Sequence, residues 1–120
     1  MLKIAIDIMG GDNSPIEPIH GIKSYIEESS DKNIFFYIVG EGKKAFNLIK
    51  ESIPREQYQI IETSETIEMH DKPSEILKLK PNSSMLKCID LVKEAEASAV
   101  ISAGNTGALL LSSSIIIKKI

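Results

Sequence analysis

Twice in this sequence a short apolar run stops abruptly at glycines and polar groups and is followed by apolar residues at a different spacing. "KIAIDIMGGD" does this at the start, and "AVISAGNTGALL", residues 99–110, does it near the end. Continuous apolar runs of this length suit strands buried on both faces of a parallel sheet, whereas half-exposed strands alternate. A run closed by turn formers and followed by a helical period is a strand–turn–helix unit. Its repetition predicts an α/β fold.

Residues 2–8, "LKIAIDI", read as the first buried strand. Gly10-Gly11-Asp12-Asn13-Ser14-Pro15 supplies a turn and a helix start, with Asn13 or Ser14 as cap and Pro15 in the first helical turn. Ile16, Ile19, Ile22 and Ile26 then share one helix face, which Gly21 weakens. "IFFYIVG" (34–40) is a second strand, and residues 43–51 a short amphipathic helix with Phe46, Ile49 and Ile53 inward. "YQIIET" (58–63) is a third strand. Segment 64–73 has no clean period and ends at Pro73, as expected of a loop with functional potential. Residues 74–79 allow one or two helical turns. Ser83 or Ser84 opens a better helix, with Met85, Cys88, Ile89, Val92 and Ala95 on one face. "SAVIS" (98–102) is the fourth strand, and the helix after it is apolar nearly all round, so burial on several sides is expected.

The predicted architecture is an open α/β/α sandwich with a mostly parallel sheet. Residues 1–120 form part of a single domain with no internal boundary, repeat or low-complexity segment. A buried helix at a terminus needs something to pack on. The chain therefore reads as the front of a larger fold, or as one completed by association.

Charge and cysteine content narrow the function. A net charge of −3 over 120 residues leaves no basic face for nucleic acid, and the pairs Lys43-Lys44 and Lys118-Lys119 are too short to make one. Cys88 is the only cysteine, so no intrachain disulfide framework exists and a reducing compartment is the natural expectation. The first 20 residues have no secretory pattern. "ALLLSSSIIIKKI" is broken by serines and is shorter than the roughly 20 residues of a spanning helix. The expected location is the cytoplasm.

In open parallel sheets ligands bind at the carboxyl ends of strands, where both glycine breaks fall. Helix N-termini offer unpaired N–H groups and partial positive charge, and glycine lets an anion approach the backbone. Asn105 and Thr106 add an amide and a hydroxyl. Such breaks serve an anion site, but Gly, Asn and Thr also occur at strand–helix turns for capping alone. Neither break is a P-loop or a dinucleotide fingerprint, which disfavours an oxidoreductase. Cys88, on an apolar helix face, reads as a buried structural thiol. His20 and His70 read as surface or boundary histidines. No metal-ligand spacing is present and no metal or cofactor is expected. Lys72 is an ordinary solvated lysine unless its loop folds toward the glycine breaks. "SIIIKKI" fits core or interface better than a membrane surface.

Taken in order, "KIAIDIMGGDNSP", "IVGEGKK", "IEMHDKPSE", "NSSM" and "VISAGNTGALL" resemble the N-terminal portion of the PlsX-type phosphate acyltransferases, over essentially the whole chain. The resemblance implies a fold like that of phosphotransacetylases and isocitrate dehydrogenases, incomplete here. It also implies a reaction: inorganic phosphate attacks the thioester of a fatty acyl group on acyl carrier protein, giving acyl phosphate for phospholipid synthesis. The implied partners are acyl carrier protein, inorganic phosphate, a second copy in a homodimer, and a membrane or membrane acyltransferase met peripherally. Gly10, Gly11, Gly104 and Gly107 then bind phosphate through backbone N–H groups, with Ser83 and Ser84 as phosphate ligands or helix caps. Asn105, Thr106 or a backbone N–H stabilises the oxyanion, Lys72 neutralises phosphate, and Asp12 orients phosphate or a donor. Asp7 does likewise or satisfies loop N–H groups. Phosphate is itself the nucleophile, so no enzyme nucleophile is needed. His70 receives no role. Family members are much longer, and the missing part should close the sheet and supply the other wall of the acyl and carrier-protein site. The competing expectation is a non-catalytic phosphate- or nucleotide-binding module, or an inactive remnant.

Overall fold

The computed structural model describes residues 1–29 and 32–117. Four strands, β1 (Leu2–Asp7), β2 (Ile34–Gly40), β3 (Tyr58–Glu62) and β4 (Ala99–Ser102), form one sheet in the order β3-β2-β1-β4. Every pairing is parallel, with Ile6 opposite Ile38 and Ile101. The chain builds outward from β1 to β2 and β3, then crosses back to place β4 on the other side of β1. The direction of travel reverses between β1 and β4, which opens a crevice at their carboxyl ends.

Helices cover both faces, as the continuous apolar runs require. On one face Ile6, Ile8, Ile34, Phe36 and Ile38 pack with Ile19 and Ile22 of α1 (Ile16–Ser29) and Ala45 and Ile49 of α2 (Gly42–Ile49). On the other, Ala5, Tyr37 and Val39 meet Cys88 and Leu91. These two belong to the fourth helix in chain order, α4 (Ser84–Lys93), which follows the one-turn α3 (Ile76–Leu79). A third cluster joins Ile67, Ile76, Met85, Leu86 and Ile89 to Ala108 of α5 (Thr106–Ile116). It anchors loop 64–72 beside the crevice.

The sandwich expectation holds, and every predicted strand and helix is present with ends within a few residues. Several side-chain assignments change. Ile16 lies at the very start of α1 and is exposed, as is Phe46 on α2. α4 ends at Lys93, leaving Ala95 outside it at φ 60°. α5 buries only Ala108 and Ser112, while Leu110 is 70% exposed. Its apolar outer side meets no other described element. The Lys118-Lys119 pair and the end of "SIIIKKI" lie outside the described residues. Among the described residues, no helix is long and apolar enough to cross a membrane.

Candidate functional site

The two glycine breaks meet. A Cβ built on Gly10, which has φ +88°, would lie 3.2 Å from the Gly104 Cα and 3.4 Å from the Ile67 carbonyl oxygen. Only glycine takes that backbone conformation without strain, and only glycine leaves room for the facing loop. Gly11 follows at the same seam, its N–H donating to Ser14 Oγ at 3.0 Å. Ser14 therefore tethers the loop instead of capping α1.

Loop 64–72 folds onto the same corner, which is the condition that brings Lys72 into play. Asn105 is the N-cap of α5: its Oδ1 accepts from the Ala108 N–H at 3.0 Å. Its Nδ2 donates to the carbonyls of Glu68 at 3.1 Å, Met69 at 3.4 Å and Asp71 at 3.0 Å. The side chain is nearly buried, and both ends of its amide are engaged. Asn105 is thus the clamp between the loop and the helix, with no donor left over for an oxyanion. Gly107 closes the contact, since a Cβ there would lie 2.9 Å from Pro73 Cγ.

Thr106 and Gly107 occupy the first two positions of α5 and are exposed. Their N–H groups have no intrahelical acceptor and are available to an anion, with the helix dipole behind them. Lys72 is exposed beside them, directly before Pro73, and makes no ion pair among the described residues. Asp12 is exposed on the β1 loop and lines the groove that runs back from it.

Ser83 and Ser84 are buried behind the exposed corner. Ser83 is fully buried and caps α4, its Oγ accepting from the Leu86 N–H at 3.3 Å. Ser84 is buried, and its Oγ has no hydrogen-bond partner of standard geometry. It lies by the Asp7 carboxyl.

Asp7 carries more of the architecture than the sequence implied. Its Oδ1 accepts from the Met9 N–H at 2.9 Å and its Oδ2 from Ser102 Oγ at 3.0 Å. Ser102 Oγ in turn accepts from the Gly104 N–H at 3.2 Å. One buried carboxylate therefore ties the loop after β1 to the loop after β4. Burial pushes this carboxyl above its ordinary value, and the nearby Ser84 hydroxyl together with the hydrogen bonds from the Met9 N–H and Ser102 partly offsets the rise. Cys88 is fully buried, and burial together with the Asp7 charge pushes its thiol up, which is the opposite of an activated nucleophile.

Sequence reasoning missed Lys80 and Asp71. Lys80 Nζ donates to the Thr66 carbonyl at 2.8 Å and to Asp71 Oδ2 at 2.6 Å, and the same Oδ2 accepts from the Glu68 N–H at 2.7 Å. The Lys80 hydrogen bond holds the Asp71 carboxyl below its ordinary value, aided by the Glu68 N–H. The pair braces the loop that carries Lys72. Among the described residues, no group of three or more His, Cys, Asp or Glu side chains could hold a metal ion.

The comparisons with known proteins point the same way. The family model described as "Fatty acid synthesis protein" matches residues 2–120. A phosphate acyltransferase of Pelagibacter ubique is 42% identical over 120 residues, covering 100% of this chain and 35% of the relative. Phosphate acyltransferases of Clostridium botulinum and Staphylococcus aureus are each 40% identical, covering 99% and 100% of this chain and 35% and 34% of theirs. The chain thus spans about a third of the length of the curated relatives it matches. A match over nearly every residue, with the glycine breaks meeting at the sheet's switch point, places the chain in the fatty acid synthesis protein family of PlsX-type phosphate acyltransferases.

Proposed function

We propose that this chain supplies the phosphate-binding corner of an enzyme that transfers a fatty acyl group from acyl carrier protein to inorganic phosphate. The observation that carries the reading is the junction of the Gly10 and Gly104 loops at the switch point, with the α5 N-terminus and Lys72 beside it. Phosphate seated on the Thr106 and Gly107 N–H groups has its negative charge matched by the helix dipole and the Lys72 ammonium. One phosphate oxygen attacks the thioester carbonyl, the C–S bond breaks, and the carrier thiolate leaves and takes up a proton. The products are acyl phosphate and free carrier protein.

On this reading the protein contributes position and charge, and its own side chains form no covalent intermediate. Thr106 Oγ1 and the exposed N–H groups are the donors left for the oxyanion, and Asp12 orients phosphate or a neighbouring donor. Asp7, Ser102 and Asn105 hold the loops in place. Acyl carrier protein is the macromolecular partner, the setting is cytoplasmic, and the working unit is a homodimer with peripheral membrane contact. The wall facing the carrier protein belongs to the part of the family's length outside these residues.

The test is to incubate the full-length gene product with a long-chain acyl carrier protein and phosphate and to measure acyl phosphate as its hydroxamate. Phosphate-dependent product supports the reading. Phosphate binding without thioester loss would instead favour a non-catalytic binding module.

A further inference from the structure

The turn that carries Lys72 is closed on itself and then gripped from outside. The Asp71 N–H donates to the Glu68 carbonyl at 3.1 Å, and the Glu68 N–H donates to Asp71 Oδ2 at 2.7 Å. The Lys80 ammonium spans the turn, donating to the Thr66 carbonyl at 2.8 Å and to Asp71 Oδ2 at 2.6 Å. The backbone of Lys80 is itself anchored. Its N–H donates to the Ile76 carbonyl at 2.8 Å, and its carbonyl accepts from the Ser83 N–H at 3.3 Å. Ile76 and Ser83 are both buried. A residue fixed to the core therefore reaches out along its flexible stem and holds residues 66 and 71 together, and Lys72 is the next residue in the chain.

The grip also has an electrostatic side. Asp71 stands directly before Lys72, and its carbonyl lies 3.0 Å from Nδ2 of Asn105, the cap of α5. An unpaired carboxylate at that place would compete with an anion for the Lys72 ammonium. Lys80 and Asp71 are both partly buried, so water screens their attraction only in part. Lys72 makes no ion pair among the described residues. Of the two lysines that flank this carboxylate in the chain, one is bound to it and the other is left over.

We propose that Lys80 is a positioning residue for phosphate: by occupying the Asp71 carboxylate and tying residues 66 and 71 together, it leaves Lys72 free and in place at the α5 N-terminus. The inference rests on the phosphate-binding reading given above. It assigns the availability of Lys72 to a residue that touches no substrate. Ion pairs with this much exposure contribute little to overall stability, so the effect of this one is to be read in anion binding.

The experiment is a set of substitutions in the full-length gene product, read as the Kd for inorganic phosphate by titration calorimetry. Lys80→Met should weaken binding about three- to tenfold. Lys80→Arg should keep most of the affinity, because the positive charge remains. Adding Asp71→Asn to Lys80→Met should recover about half of the loss or more, since the carboxylate that competes for Lys72 is gone. In a Lys72→Met background, Lys80→Met should cost less than about half as much on a logarithmic scale. A purely structural brace gives neither of these last two results. Lys80→Gln, whose amide still donates a hydrogen bond, replaces Lys80→Met if that variant does not fold. Wild-type affinity in Lys80→Met overturns the proposal, as does a loss of equal size with and without Lys72. Failure of Asp71→Asn to recover affinity also overturns it. Acyl phosphate formation by the wild-type protein is assayed separately: phosphate binding without product removes the proposed reaction and leaves the Lys80 outcome readable. A wild-type protein that binds no phosphate overturns both.

Discussion

Gly10 and Gly104 come together across the end of the sheet so closely that a single added methyl at residue 10 would stand 3.2 Å from the opposite backbone. The contact joins the first glycine break to the second and sets the width of the crevice. Gly10→Ala adds that methyl at φ +88°, where an L side chain is strained, so the cost is about 1–3 kcal/mol. Urea unfolding should show the loss. The loops should also separate, raising the KM for phosphate more than it lowers kcat. A Gly10→Ala protein with unchanged stability would mean that the loops do not touch in solution.

Asn105 separates two contributions that are usually confounded. Asn105→Ser keeps an N-cap oxygen for the Ala108 N–H but removes the amide that gathers three carbonyls from residues 68–71. Asn105→Ala removes both. Loss of the cap costs about 1 kcal/mol. Each carbonyl left unsatisfied adds up to about 1–3 kcal/mol where water cannot replace the donor. Asn105→Ser should therefore lie well below wild type in thermal unfolding, and Asn105→Ala lower still by about the cap alone. If Asn105→Ser matched wild type, the amide clamp would contribute nothing.

The strands were legible because a parallel sheet covered on both faces leaves unbroken apolar runs, as "IFFYIVG" shows. The glycine breaks were legible because turn formers interrupt those runs. What each amide and carboxyl does there was not. Asn105 reaches carbonyls 34–37 residues upstream, and Asp7 reaches Ser102 across 95 residues. Those partnerships exist only once β1 and β4 are neighbours. Periodicity marked Ile16 and Phe46 as inward because it reports a helix face and not whether anything lies over its end. Lys80 carried no local signal, since its partner Asp71 sits on the far side of a loop with no period.

Among the described residues, the two carboxyls with displaced pKa values, Asp71 and Asp7, act in opposite directions on stability. Asp71 is held below its ordinary 3.8, so its bond to Lys80 is fully present above that value and is lost as pH falls through the lower folded-state pKa. Loop 66–71 should stay protected in hydrogen exchange through neutral and mildly acid solution and open only below the usual carboxylate range. Salt should weaken the protection, because the pair is partly exposed.

Asp7 is raised above 3.8, so the folded state holds its proton more tightly than the unfolded state does. Stability from this group therefore falls as pH rises from about 3.8 through the folded-state pKa, and remains lower above it. Asp7→Asn should flatten that part of the urea-unfolding profile. A profile of unchanged slope would mean that Asp7 does not titrate differently in the folded protein.

Lys72 offers the cleanest separation of function from fold. It is exposed, its ammonium makes no ion pair among the described residues, and the next residue, Pro73, packs against Gly107. Removing its charge leaves no buried partner stranded, so Lys72→Met should change stability by less than about 0.5 kcal/mol. A charge-assisted hydrogen bond to phosphate contributes about 1.5–3 kcal/mol, which corresponds to roughly a 10- to 100-fold weaker hold on phosphate. Steady-state kinetics of the full-length gene product should place the loss mainly in the KM for phosphate, with the KM for the acyl carrier protein little changed. Lys72→Arg should recover part of it, because the positive charge remains while its reach and geometry differ. A Lys72→Met enzyme with wild-type phosphate dependence would remove Lys72 from the proposed site.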